Sequence, residues 1–384
     1  MSAVHLLKGQ LAWMREAGFD VRVLASSPSD LDRVAEREGV ETGAVPIVRE
    51  IDPLQDLKAL VALYREMRAW RPDIVNASTP KAGLLGMLAA WAARVPVRIY
   101  VQRGLRLETE TGGKRLLLAT MERIASACAH RVFGVGRSLA DRYVELGLAP
   151  RAKVAVLGAG SSNGVDVARF AEVDPARVGL LRRELGLPDD APVIGFVGRF
   201  TRDKGLVELV DAFDRVRVSV PDARLLLVGD FEAGDPVPEA TAERIRSHPA
   251  IVLAGFVPDT APYFHLVEVL AFPSHREGLP NVPLEAAAAG VPTVGARATG
   301  TVDVVVDGQT GVFVPVGDSE RLAEALRAYL VDPALRARHG RRAQEHVREA
   351  FAPERIWQAL YAEYVNSLRE RGRTAVVPEP RVPA

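Results

Sequence analysis

The chain is poor in cysteine, with a single thiol, Cys128, in 384 residues. A lone cysteine excludes an intramolecular disulfide framework and every multi-cysteine metal cluster, and it fits a reducing compartment. Aromatic residues are scarce as well, at 6%. No reader motif accompanies the basic stretches, so nucleic acid is not an expected partner. Long apolar runs are missing: the longest, LLGMLAAWAA, is about half of the roughly 20 residues that span a bilayer. The N-terminus shows no basic stretch followed by an apolar one. The expectation is a cytoplasmic protein, neither exported nor transmembrane.

An excess of one charge is also lacking overall, because 49 Lys and Arg balance 49 Asp and Glu. The balance is not local. Residues 1 to 168 carry 23 basic against 18 acidic side chains, and the remainder carries 26 against 31. Between residues 94 and 153 the count is 12 basic to 5 acidic, interleaved with RLLLATMERIASACAHR. That stretch reads either as a core helix with solvated arginines or as an apolar face for an anionic membrane, which allows a peripheral contact at the inner face of the membrane.

What is present in quantity is apolar residues, nearly half the chain, enough for more than one core. Short β-branched runs alternate with helix-period segments: DVRVLA, PDIVNA, VRIYV, RVFGVG, KVAVLG, then VIGFVGR, ARLLLVG, IVLAG and EVLAFPS. This pattern predicts an α/β protein of two doubly wound parallel sheets. We assign residues 1–170 to an N-terminal Rossmann-like domain and 171–352 to a C-terminal one. A helix over 353–371 is expected to cross back to the first domain, ahead of a disordered tail at 372–384. The first domain opens with a helical pattern, AVHLLKGQLAWMREAG, where a doubly wound domain begins with a strand. A missing first strand would leave a gap in the sheet, and the expectation is that the true start lies upstream of Met1, the alternative being a genuinely altered sheet.

The second domain carries the clearest chemistry. In VIGFVGRFTRDKG a buried strand runs into Gly198 and Arg199, with Lys204 at the start of the next helix. Two cations at the carboxyl end of a core strand can hold a diphosphate and stabilise the charge that builds as it leaves. They can also be solvated surface cations. The stretch EVLAFPSHREGLPNVPLEAAAAG reads as a strand to Phe272 and a helix from Asn281 stopped by Gly290. It places Glu277 on the loop and Glu285 in the first helical turn. There Glu285 can complement the helix dipole, or the two carboxylates can accept hydrogen bonds from vicinal sugar hydroxyls, with Gly278 allowing a close backbone approach. His275 can orient Glu277 or be a local hydrogen-bonding residue of the loop. In NASTPKAGLLG, Thr79 and Lys81 at a helix start read as an acceptor phosphate site or as an ordinary cap with a solvated lysine.

GRFTRDKG, EGLPNVPLEAAAAGVP and DGQTGVFVPVGD resemble the successive C-terminal motifs of family 4 retaining glycosyltransferases of GT-B architecture, in which two Rossmann-like domains face across a cleft. STPKAGLLG, RGLRLETETG and GSSNGVD are similar to the branch that builds capsular and exopolysaccharides. The resemblance runs from about residue 8 to 350. It implies a nucleotide-sugar donor with Arg199 and Lys204 on its diphosphate, Glu285 on the ribose and Glu277 on the transferred sugar. The backbone N–H groups of Leu279 and Asn281 would lie nearby, and Phe256 and Val257 would bound the base. It implies retention of anomeric configuration, no cofactor and no obligatory metal.

The chain departs from the family at three places. Arg103 stands where many relatives have a histidine, and an arginine cannot be a neutral general base, although it can meet an acceptor phosphate. Pro280 replaces a glycine and removes one N–H donor. ATGTVDVV, with Thr301 and Asp303, replaces a Gly-Gly-acid loop. The reading is a glycosyltransferase of hexosyltransferase type acting on a lipid-linked glycan, with a soluble alcohol or a phosphatidylinositol-type lipid as alternative acceptors. The alternatives are a non-catalytic nucleotide-sugar-binding scaffold or a GT-B sugar-nucleotide epimerase. A glycosidase would leave the Arg and Lys pair without a role.

Overall fold

A computed structural model describes residues 6–48 and 52–374. The chain divides into two compact units, Met1–Gly164 with Pro353–Ala384, and Val165–Ala352. The division falls before residue 170 because Val165 donates its N–H to the Phe351 carbonyl at 2.9 Å and the Phe170 ring meets Phe264 edge-on at 5.9 Å. The expectation about Met1, and most of the expected tail, lie outside the described residues.

Unit 1 contains α1 (Gln10–Glu16), β1 (Arg22–Ala25), α2 (Pro28–Glu38), β2 (Glu41–Ala44), α3 (Pro53–Trp70), β3 (Ile74–Ser78), α4 (Pro80–Ala92), β4 (Val97–Gln102), α5 (Gly112–Cys128), β5 (Arg131–Gly134), α6 (Arg137–Glu145) and β6 (Val154–Ala155). Its helix starts follow their sequences. Asp52 accepts from the N–H groups of Leu54 and Gln55, and Pro53 occupies the first helical position, where no N–H is needed.

The sheet of unit 1 is in two pieces, β1-β2 and β3-β4-β5-β6, both parallel. The pieces share side-chain layers. Leu24 and Val75 pack on the same cluster of Ala59, Leu63, Leu85 and Ala89, while Val21 and Ile74 pack on that of Met14, Ile99 and Phe133. Among the described residues no strand pairing joins β1 to β3, and neither strand has a fully buried residue.

Unit 2 contains α7 (Val167–Ala171), α8 (Pro175–Glu184), β7 (Val193–Val197), α9 (Leu206–Ser219), β8 (Arg224–Val228), α10 (Glu239–Ser247), β9 (Ile251–Gly255), α11 (Ala261–Phe264), β10 (Val269–Phe272), α12 (Asn281–Ala288), β11 (Thr293–Ala296), β12 (Gly311–Val314), α13 (Ser319–Val331) and α14 (Pro333–Ala350). Six parallel strands run in the order β12-β11-β10-β7-β8-β9. All five residues of β7 are buried, as a central strand covered on both faces requires. The last helix, α15 (Pro353–Glu370), belongs to unit 1, where Leu360 and Leu368 join the core of Met14, Ile99 and Phe133.

One buried carboxylate organises the centre of unit 1. Glu122 on α5 accepts through Oε2 from Tyr100 OH at 2.9 Å, Gln102 Nε2 at 2.9 Å and Tyr143 OH at 3.0 Å. Burial pushes its carboxyl up, and the three donors offset part of that cost. Glu122→Leu strands two buried donors, Tyr100 OH and Gln102 Nε2, while Tyr143 OH keeps Ser126 Oγ at 2.6 Å, and it should lower the unfolding free energy by about 3 kcal/mol. A loss below about 0.5 kcal/mol in urea titration would show that the donors find other partners.

Candidate active site

In unit 2 the loops that follow β7, β10 and β11 converge at one edge of the sheet. Gly198 follows β7, with a φ of 154° that is open to glycine. Its N–H donates to the Val228 carbonyl at 2.9 Å, and Arg199 follows. A 3-10 turn, Arg202–Lys204, then leads into Gly205 with φ 73°. A Cβ at Gly205 would stand 2.3 Å from the Pro273 carbonyl oxygen, so the start of α9 abuts the loop after β10. That approach brings Lys204 Nζ within 2.5 Å of Glu277 Oε1.

Glu277 is held from three sides. Ser274 Oγ donates to Oε1 at 2.6 Å, and the Glu277 N–H donates to the Thr299 carbonyl at 2.9 Å. Gly300, at φ 81°, packs so closely that a Cβ there would come within 2.7 Å of the Gly278 carbonyl oxygen. Ser274 is a site residue that sequence reading missed, and its only signal is its place three residues before Glu277. Of the two readings of His275, the structure shows a hydrogen-bonding residue and not one that orients Glu277. Its Nε2 pairs with Glu208 at 3.0 Å, which raises the imidazole pKa and lowers that of the carboxyl.

Arg199 pairs with Glu232 on the loop after β8, a residue the sequence did not single out. Lys204 and Arg199 therefore both face carboxylates. Arg276 pairs with Asp203 at 3.1 Å.

α12 begins at Asn281 with Pro280 at its cap and no side-chain hydrogen bond to its first turn. Leu279 is buried beside it. Glu285 is the fifth helical residue, beyond the first turn, so the expected pairing with the helix dipole is replaced by a burial effect. Burial raises its carboxyl from the ordinary 4.5 to about 7, with Arg169 opposing weakly. Phe256 stands on the loop after β9 and is 79% exposed, with Val257 half-buried next to it. Thr301 is buried in a 3-10 turn with Asp303.

The acceptor-side candidates lie in unit 1. Arg103 follows β4, and among the described residues its Nε and Nη1 are buried without a hydrogen-bond partner. Burial pushes the guanidinium down to about 10. The adjoining Gly104 N–H donates to Gln102 Oε1 at 3.3 Å, which ties this turn to the Glu122 network. Thr79 has φ 72°, a strained value for a β-branched residue, and does not cap α4 with its side chain. Lys81 is no solvated cation, since its Nζ lies 2.6 Å from Asp56 on α3.

Two family models match the chain: Glycosyl transferase 4-like domain over residues 6–160, and Glycosyl transferases group 1 over residues 191–332. The chain is 34% identical over 368 residues to the capsular polysaccharide biosynthesis glycosyltransferase CapM of Staphylococcus aureus, covering 96% of this chain and 95% of that one. It is 25% identical to the UDP-Gal:alpha-D-GlcNAc-diphosphoundecaprenol alpha-1,3-galactosyltransferase of Escherichia coli, over 83% and 81% of the two chains. Among solved structures, Anabaena Alr3699/HepE in complex with UDP-glucose superposes with TM-score 0.77 at 22% identity, covering 94% and 96%. WaaG, a glycosyltransferase involved in lipopolysaccharide biosynthesis, superposes with TM-score 0.67 at 17% identity, covering 91% and 95%. These likenesses establish the GT-B fold. The chain belongs to the group 1 glycosyltransferases, in the capsule and polysaccharide branch.

Glu285 generates a pH prediction. Its carboxyl ionises near 4.5 when unfolded and near about 7 when folded, so folding stability falls as pH climbs between those values. In the unliganded protein, Glu285→Gln should be stabilising by on the order of 2 kcal/mol at about pH 8 and close to neutral at about pH 4. Thermal unfolding at the two pH values measures this, and an equal shift at both would remove the burial argument.

Proposed function

We propose that this group 1 glycosyltransferase moves a sugar, with retention of configuration, from a nucleotide-sugar donor held by unit 2 to a lipid-linked saccharide at a membrane surface. The observation that carries the donor assignment is the convergence of Arg199, Lys204, Glu277 and the uncapped start of α12 at the carboxyl end of a parallel sheet. In this reading Arg199 and Lys204 take the diphosphate and stabilise the charge that grows on it as the glycosidic bond breaks, in place of a divalent cation. The N–H groups of Leu279 and Asn281 face the sugar and phosphate oxygens, with Gly198 and Gly278 admitting them closely. Glu277 moves from Lys204 to the sugar hydroxyls. Glu285 accepts from the ribose hydroxyls, and Phe256 with Val257 borders the base. The acceptor hydroxyl attacks on the face that the nucleotide leaves.

Two features support the acceptor reading. Arg103 is a buried cation whose Nε and Nη1 find no acceptor among the described residues, and an anionic acceptor group meets that need. No helix among the described residues is long and apolar enough to cross a membrane. However, α3 exposes Leu54, Leu57, Val61 and Tyr64 along one side, the first by 74%, with exposed Lys58, Arg65 and Arg68 on the same helix. On α5, Leu116, Leu117 and Ile124 are also exposed. Apolar side chains among cations suit the interface of an anionic bilayer. The E. coli relative, by its name, acts on a diphosphoundecaprenol-linked sugar.

Two tests follow from these roles. With a panel of UDP-, GDP- and ADP-sugars and a polyprenyl diphosphate-linked acceptor, Arg199→Ala and Lys204→Ala should each slow transfer by about 10²- to 10³-fold, non-additively. Glu285→Gln should mainly raise KM for the donor. Parent-like rates in all three variants would sink the site, and donor binding without turnover in the parent would favour the scaffold. In the second test, Leu57→Glu with Val61→Glu should reduce co-sedimentation with anionic vesicles while leaving donor affinity unchanged. Equal sedimentation would remove α3 from the membrane reading.

A further inference from the structure

Arg199 and Lys204, the cations assigned to the diphosphate, are already engaged by carboxylates, Glu232 and Glu277. The Arg199 pairing is built into the backbone rather than left to chance on the surface. The loop after β8 runs alongside the one after β7. Phe200 N–H donates to the Asp230 carbonyl at 2.7 Å, Arg202 N–H to the Asp235 carbonyl at 3.1 Å, and Asp203 N–H to Asp235 Oδ2 at 3.1 Å. Gly229 lies so close that a Cβ there would be 1.8 Å from the Gly198 carbonyl oxygen. Phe231, the residue before Glu232, is clamped edge-on against Phe200 at 5.1 Å and under the Arg246 guanidinium at 4.6 Å. Glu232 is therefore delivered to Arg199 by the fold.

A diphosphate arriving at this edge brings negative charge to a cation that a carboxylate holds, and two anions a few ångströms apart on one cation repel. We propose that Glu232 is a positioning residue that stands in for the donor diphosphate on Arg199 in the unliganded enzyme. It gives way when the donor binds and returns to Arg199 as the nucleoside diphosphate leaves. The carboxylate keeps the guanidinium at the rim of β7, and by competing with the leaving nucleotide it favours product release. Glu277 differs in this respect, because its expected partner after displacement is the sugar itself. The inference rests on the reading of Arg199 as a diphosphate cation.

The test is a double-mutant cycle read by calorimetry with UDP, and with GDP and ADP as further probes, on the parent, Glu232→Gln, Arg199→Ala and the double variant. Glu232→Gln should tighten nucleotide binding by about three- to tenfold. The gain should vanish in the Arg199→Ala background, and it should shrink as salt rises from about 50 to about 500 mM. Glu232→Asp, which shortens the reach while keeping the charge, should fall between parent and Glu232→Gln. Unchanged or weaker binding in Glu232→Gln, alongside weakened binding in Arg199→Ala, overturns the stand-in while leaving the donor site intact. Parent-like binding in Arg199→Ala, or no binding of any probe to any of the four proteins, overturns the donor reading itself. A tightening that persists without Arg199 shows that Glu232 opposes the nucleotide through the general field of the site, and it too removes the stand-in.

Discussion

The candidate site depends on the absence of a side chain at Gly205. With a Cβ only 2.3 Å from the Pro273 carbonyl, the turn before α9 could not lie against the loop after β10, and Lys204 could not reach Glu277. The same device recurs at Gly300, which lets the loop after β11 close on Glu277 and Gly278, and at Gly229, which lets the loop after β8 follow that after β7. Parallel strands deliver all their C-terminal loops to one edge. Glycines at these contacts let the loops approach to hydrogen-bonding distance.

Charge compensation then defines what the edge can do. Arg199, Lys204 and Arg276 are each matched by a carboxylate, so the unliganded edge is neutralised rather than bare. Glu285 is the exception. Its half-buried carboxyl loses hydration while Arg169 opposes only weakly, which is why its pKa rises to about 7. In unit 1 the corresponding exception is Arg103, a guanidinium with two buried nitrogens that have no partner among the described residues. Buried charges left without compensation are costly to folding, and they recur where a ligand supplies the missing partner.

Unit 1 is built differently from unit 2. Its sheet is split between β1 and β3, although both pieces contribute to the same apolar layers. α15 and the Glu122 network stiffen the four-stranded piece, and the network reaches the turn that carries Arg103 through Gln102. The apolar side chains left on α3 and α5 are on helices whose other faces are already packed, Ala59, Leu63 and Met67 in α3 and Ala125 in α5.

Much of this was legible in the chain itself. Strands buried on both faces read as continuous β-branched runs, so VIGFV, RLLLV and VLAF stood out. Gly290 marked the end of α12 because its backbone chemistry is local. ETGA, TVGA and GVFV were missed as β2, β11 and β12, since four-residue strands of small or half-exposed residues carry no such run. The charged partners were also out of reach. His275 meets Glu208 at a separation of 67 residues, and Arg199 meets Glu232 across 33. The residue pattern alone determined the alternating α/β class, the GT-B family motifs and the cations after the core strand, because each depends on neighbours along the chain. Which carboxylate each cation faces, the burial that raises Glu285 and the unsatisfied state of Arg103 were decided only by tertiary structure. Those properties arise where loops from different strands meet, and periodicity along one segment holds no record of that meeting.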